Sequence, residues 1–131
     1  GILVEHLKAA GHDVSDAGIF TDEVKVDYPD IAAEVGKMVA SDSGSFGVLC
    51  CGSGVGVCIA SNKVNGIRAV NAHSTTEAKF SRLHNNANIV CFGERMIGEE
   101  MAKDIVDVFL STGFEGGRHT ARVDKISQME K

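Results

Sequence analysis

An α/β domain built around a parallel sheet is predicted by three features of this 131-residue sequence. Apolar runs at residues 46–51 and 89–92 are continuous rather than alternating, the pattern of strands buried on both faces of a parallel sheet. Segments with apolar residues at helical spacing lie between and around them. A glycine-rich loop follows the first run directly, as where a strand hands over to a helix.

Residues 2–10 carry Ile2, Leu3, Leu7 and Ala10 at helical spacing, and Gly11 is placed to cap that helix. Residues 12–18 read as a short strand and turn, and residues 21–29 as polar loop. Pro29 suits the first turn of a helix reaching about Ser41, with Ile31, Ala32, Val35, Met38 and Val39 on one face. A turn at 41–45 leads into the strand 46–51, and the next helix is expected from Gly54 to about Lys63. Asn65 and Gly66 turn the chain into a strand at 67–71, and Ser74 is positioned to cap a helix over 74–84. A strand at 88–92, an amphipathic helix at 98–111, a loop at 113–117 and a final helix at 118–129 complete the order. No repeat, low-complexity tract or linker interrupts it, so residues 1–131 are expected to form a single domain.

Composition excludes several classes. With 44% apolar residues the chain can fill a core. A net charge of -5 argues against nucleic acid as a general partner, because such binding needs a basic surface to displace counterions. The longest apolar runs are far too short to cross a bilayer and no signal peptide is visible, so no membrane association is expected and the expected compartment is the cytoplasm. Cys50, Cys51, Cys58 and Cys91 lie mostly within apolar runs, without zinc or disulfide spacing, and are expected as reduced thiols.

Ligands of such a sheet bind beyond the carboxyl ends of its strands. That rule puts the loops after Cys51, Asn71 and Phe92 on one edge, where the functional residues are expected to cluster. Cys51 stands directly before Gly52-Ser-Gly-Val-Gly56, whose backbone N–H groups, with the dipole of the following helix, favour an anion. A Cys at such a place can have its pKa drawn below the free value of about 8.5, which suits a base or nucleophile. The loop is neither a Walker A motif, since no Gly-Lys-Ser/Thr follows, nor a clean dinucleotide fingerprint, its glycine spacing being one residue short. A tight strand-to-helix turn is the bland alternative. Cys50, Cys58 and Cys91 read as core.

His84 with Asn85, Asn86 and Asn88 suits proton transfer and hydroxyl recognition, against a bland reading as helix capping; His6, His12 and His73 read as surface or structural. Arg118 and Arg122, four apart, project from one helical face and can grip one phosphate, with His119 beside them. Gly116 and Gly117 let the helix end approach an anion, whereas a solvated basic face is the bland alternative. Arg95 is a third candidate cation, near a strand end.

Taken together these strings resemble the ribose-5-phosphate isomerase type B family, grouped with galactose-6-phosphate and allose-6-phosphate isomerases. The resemblance runs over essentially the whole chain, through Asp27-Tyr-Pro29, Cys51-Gly-Ser-Gly-Val-Gly56, Ala60-Ser-Asn-Lys63, Gly66-Ile-Arg-Ala69, Ser81-Arg-Leu-His-Asn-Asn86, Phe92-Gly-Glu-Arg95 and Gly116-Gly-Arg-His-Thr-Ala-Arg-Val123. It implies a three-layer, doubly wound, Rossmann-like sheet, with the C-terminal helix contributing to a dimer interface. It further implies a dimer or tetramer with active sites shared between subunits, no metal and no cofactor, and a place in the pentose phosphate pathway. By the family pattern Cys51 is the base between C1 and C2 of an open-chain sugar phosphate. The backbone of Gly52, Gly54, Val55 and Gly56 holds the enediolate oxygen, and Ser53 helps handle the sugar. His84 is the acid for ring opening, Asn85 binds a hydroxyl, Arg95, Arg118 and Arg122 bind phosphate with His119, and Tyr28 lines the pocket.

Family members open with a strand ending in an Asp-His pair, for which the sequence before Ile2 has no counterpart, and the chain is expected to be a truncated form lacking that strand. The near alternative for substrate is a six-carbon sugar phosphate, allose 6-phosphate or galactose 6-phosphate. A sugar-phosphate-binding protein without turnover is another, and a thiol redox or cysteine-hydrolase activity is a third, disfavoured by the lack of a CxxC motif.

Overall fold

A computed structural model of the chain describes residues 2–15 and 27–130. Three strands, β1 (Gly47–Cys51), β2 (Ala69–Asn71) and β3 (Ile89–Gly93), pair in the order β1-β3-β2, all parallel. Gly47 and Ala69 both lie opposite Ile89, and Cys51 lies opposite Gly93, so the strands start level. Six helices are described: α1 (Ile2–Ala9), α2 (Tyr28–Ser41), α3 (Val55–Asn62), α4 (Thr75–Asn85), α5 (Glu99–Ser111) and α6 (Arg118–Gln128).

Central strand β3 is buried throughout, and its alternation divides the core in two. Val90 and Phe92 face Leu7 of α1, Ala78 of α4 and Ile105, Val106 and Phe109 of α5. Ile89 and Cys91 face Ala32 and Val39 of α2 and Val57 of α3. These two helical layers around a parallel sheet are the three-layer doubly wound arrangement predicted. Helix α6 lies further out, against α4.

Local chemistry sets the boundaries. Ser74 Oγ accepts the Glu77 N–H at 3.1 Å while the Glu77 carboxylate accepts the His73 N–H at 3.0 Å, a reciprocal cap that starts α4. Gly11 closes α1 at φ +92°, as its position predicts. The predicted strand at 67–71 begins only at Ala69. Asn88 accounts for this: its side chain accepts the Arg68 N–H and donates to Gly66 O, both at 2.8 Å, holding the preceding residues in a turn. Asn62 then closes the outer edge of β2, its amide accepting from Ala69 N at 2.8 Å and donating to Ala69 O at 3.0 Å. The strand predicted at 12–18 is absent from residues 12–15, and the remainder of it lies outside the described residues. Most of the loop predicted at 21–29 does also, while its last two residues already belong to α2.

Arg82 is 5% exposed and holds the end of α4 to its surroundings. Its Nε donates to Thr112 O at 2.9 Å, and its Nη1 donates to Asn86 Oδ1 at 2.9 Å and to Ala87 O at 2.6 Å. The guanidinium lies over the ring of Phe46, 4.8 Å from its centroid. Replacing Arg82 by Leu strands one buried acceptor, Ala87 O, and two partly buried ones, so Arg82→Leu is expected to cost about 2 kcal/mol of stability, read from the urea unfolding midpoint. An unchanged midpoint would mean that these acceptors are satisfied some other way.

Candidate active site

At the carboxyl edge, β1 ends in half-buried Cys51 and the glycine loop turns onto the end of β3. The approach is too close for side chains. A Cβ on Gly93 would lie 2.5 Å from Gly52 O, and one on Gly54, whose φ is +82°, would lie 2.8 Å from the Phe92 carbonyl carbon. The Gly54 N–H then donates to Cys51 Sγ at 3.1 Å, and the Val55 N–H donates to Ser53 Oγ at 3.3 Å. Gly56 and Val57 follow in the first turn of α3, where N–H groups have no partner within the helix. Tyr28 covers Gly56, its ring so close that a Cβ there would lie 2.5 Å from Cε1. The Arg95 side chain lies over Gly52, and the Arg95 N–H donates to Gly52 O at 3.1 Å. His73 belongs to this edge too: its Nε2 accepts the Gly93 N–H at 3.0 Å, which makes it structural.

Helix α4 runs back across the sheet and delivers His84 to the opposite, amino edge, just before β3 begins. The Glu115 N–H donates to Leu83 O at 3.1 Å, docking the loop before α6 onto the end of α4. His84 Nε2 thereby comes within 4.0 Å of Glu115 Oε2. The His119 imidazole stacks on His84 with centroids 4.4 Å apart and planes 18° apart. His119 is 6% exposed, and its Nε2 has no hydrogen-bond partner. Burial first, then the charges of His84 and Arg118 and the lesser one of Arg122, push the His119 pKa below its ordinary value, with Glu115 pulling the other way. Arg118 and Arg122 are exposed on the same helix and form no ion pair among the described residues. Asn85 ends α4 at an open groove of about 700 Å³ that also includes Arg68, Ile126 and Met129.

His84, Glu115 and His119 bring three potential metal ligands within 4.8 Å of one another. The near-parallel stacking of the imidazoles sets their in-plane lone pairs side by side rather than converging, which suits proton transfer and anion recognition better than chelation.

The expectation that all functional residues share one edge is therefore corrected. Cys51, Gly52, Ser53, Gly54, Val55, Gly56, Tyr28 and Arg95 gather at the carboxyl edge, and His84, Asn85, Arg118, His119 and Arg122 at the amino edge. The length of β3, about 13 Å, lies between the two groups within one chain. Cys50, read as core, is exposed: it lies opposite Phe92 on an outer strand among the described residues, where the helical layer does not cover it; Cys58 is half-buried and Cys91 fully buried. Two residues were missed. Glu115 carries no motif of its own, and Arg82, although inside a quoted string, looks like any helical surface cation.

A doubly wound parallel fold with a thiol beside a glycine loop at one edge, and a separate His/Arg cluster at the other, defines an α/β protein of the class that binds ligands at its strand ends. Residues 1–126 match the model of the Ribose/Galactose Isomerase family, and the chain belongs to that family of isomerases. Ribose-5-phosphate isomerase B of Escherichia coli (strain K12) is 44% identical over 129 residues, 98% of this chain and 86% of that protein. D-erythrulose-4-phosphate isomerase of Pectobacterium atrosepticum is 38% identical over 128 residues, 98% of this chain and 84% of that protein. The crystal structure of ribose-5-phosphate isomerase B from Mycoplasma genitalium with bound ribulose-5-phosphate matches with a TM-score of 0.92 at 43% identity, covering 97% of this chain and 84% of that one.

The depressed pKa of His119 has a consequence for stability. The unfolded chain binds a proton at this residue near its ordinary pKa of about 6.5, while the folded chain resists it, so folding loses stability as pH falls through that value. The His119→Gln variant is expected to lose less in melting temperature than the parent between pH 7.5 and 5.5 (about two units of acidification). Equal losses in the two proteins would show that His119 does not titrate as its surroundings dictate.

Proposed function

We propose that this chain is an aldose-ketose isomerase that interconverts ribose 5-phosphate and ribulose 5-phosphate, with each active site completed by a second copy of the chain. The observation that carries the reading is the Gly54 N–H directed at Cys51 Sγ at 3.1 Å, inside a loop rich in further N–H donors. The sulfur there accepts from a backbone donor and faces a region suited to negative charge, the combination that proton abstraction next to a carbonyl requires.

The proton leaves C2 of the open-chain aldose for Cys51 and returns to C1. The O2 hydroxyl proton passes to O1 and leaves a ketone at C2. Negative charge on the enediolate oxygen is met by the backbone of Gly52 to Gly56, each well-aimed donor worth about 3 kcal/mol at the transition state. Ser53 Oγ, which accepts from the Val55 N–H, keeps its own proton free to move between O1 and O2. His84, backed by Glu115, supplies the acid that opens the furanose ring. Arg118 and Arg122, with His119 and Arg95, hold the phosphate, Asn85 binds a hydroxyl and Tyr28 walls the pocket.

Within one chain the base and the acid lie at opposite edges of the sheet, so a working site needs the carboxyl edge of one copy beside the amino edge of another. A symmetric dimer, or a dimer of dimers, brings both pairs together at once. Ile126 on the C-terminal helix and Met129 at its cap, exposed by 43% and 78%, offer apolar surface for such an interface. A reducing compartment such as the cytoplasm keeps Cys51 as a free, unoxidised thiol. Pentose phosphate interconversion is the metabolic setting this reaction fits.

A substrate of another length is the second reading, favoured by the relative that acts on a four-carbon sugar phosphate and by the galactose branch of the family. Turnover of ribose 5-phosphate beside four- and six-carbon analogues decides between them.

Cys51→Ala is expected to lower turnover by about a thousandfold with substrate binding retained. His84→Asn is expected to slow the cyclic ribose 5-phosphate by about a hundredfold. It should spare ribulose 5-phosphate, whose O5 is esterified and cannot close a ring onto C2. Full activity in the Cys51 variant sinks the mechanism.

A further inference from the structure

Phe80 stands one helical turn before His84 on α4 and leaves 46% of its surface exposed. It belongs to neither buried cluster of the core. What it does contact is His84: the rings stack with centroids 5.0 Å apart and planes 28° apart. His119 stacks on the same imidazole at 4.4 Å. No ring contact joins Phe80 to His119 among the described residues, so His84 is the middle layer of a three-ring column.

The second side-chain torsion of a histidine is broad, and a half-exposed imidazole samples it unless something confines the ring plane. Contacts to both faces confine it, while the ring edge carrying Nε2 is left uncovered by the stack and lies 4.0 Å from Glu115 Oε2. A flexible aliphatic side chain at position 80 would fill similar space without a flat surface to fix the plane. Helical spacing places residues 80 and 84 one above the other, so no rearrangement elsewhere is needed to form the contact.

We infer that Phe80 is a positioning residue for ring opening: its stack with His84, opposite His119, holds the acid in the plane from which it protonates the ring oxygen of a cyclic aldose phosphate. The inference takes the role of His84 from the isomerase reading above, whereas the stack itself can be tested without turnover.

The experiment compares the parent chain with Phe80→Leu and Phe80→Tyr. Two initial rates are measured, one from ribose 5-phosphate, which must be opened, and one from ribulose 5-phosphate, which is already open. The Cε1 proton of His84 is followed by NMR alongside. Phe80→Leu is expected to lower the rate from ribose 5-phosphate about fivefold, the scale of one lost aromatic contact, and to leave the rate from ribulose 5-phosphate unchanged. Phe80→Tyr is expected to restore the parent rate. The His84 resonance is expected to shift in the Leu variant, as the ring current is lost, and to return in the Tyr variant. Equal losses from both substrates would reduce Phe80 to a structural residue, and an unmoved His84 resonance would remove the stack; either overturns the inference. A His84 resonance that responds to the Phe80 substitutions as expected, in a protein whose parent chain turns over neither sugar, would overturn the isomerase reading, and with it the role given to the stack.

Discussion

The direction of the strands constrains everything else in this molecule. In a parallel sheet each strand leaves at the carboxyl edge, and the helix that follows must run back and end at the amino edge. Cys51 closes a strand and His84 sits in the last turn of a helix, so the fold assigns them to opposite edges whatever their side chains do. Their separation is a property of topology rather than of any loop that could be adjusted. A single copy can therefore present two chemically complementary surfaces without joining them. The most economical use of both is a partner that presents the same two surfaces in reverse.

Each half is held rigidly for its own reason. At the carboxyl edge the glycines let one backbone rest directly on another, with Gly93 meeting Gly52 and Gly54 meeting Phe92, and that contact aims the Gly54 N–H at the thiol. At the amino edge a buried guanidinium substitutes for backbone contact. Arg82 gathers carbonyls from the loop after α4 and the residue after α5, and so fixes where His84 and the Glu115 loop can sit. It makes no ion pair among the described residues, and its charge is met by oxygen acceptors and by the face of Phe46.

Much of this could be read from the sequence, and the failures have physical causes. Continuous apolar runs located β1 and β3, and Ser74 and Gly11 marked helix ends correctly because capping depends on local geometry alone. The early start predicted for β2 failed because Asn88, twenty residues later, ties down the backbone of Arg68. Cys51 was legible from the glycines beside it. The division of the site was not, because adjacency of motifs along the chain carries no direction: the edge at which His84 sits depends on where α4 ends. Glu115 and Arg82 went unnoticed because what distinguishes them is the company they keep across the fold, which a single residue type does not encode.

The central claim is that Cys51 of one copy works with His84 of another. The direct test is to prepare Cys51→Ala and His84→Asn separately, confirm that each alone is slow on ribose 5-phosphate, then unfold them together in equal amounts and refold. A shared site predicts recovery of about a quarter of the parent activity, since half of the randomly paired symmetric dimers are mixed and each mixed dimer carries one intact site out of two. Activity no higher than the average of the two variants, with mixed dimers demonstrably formed, would contradict the account and place base and acid in the same chain.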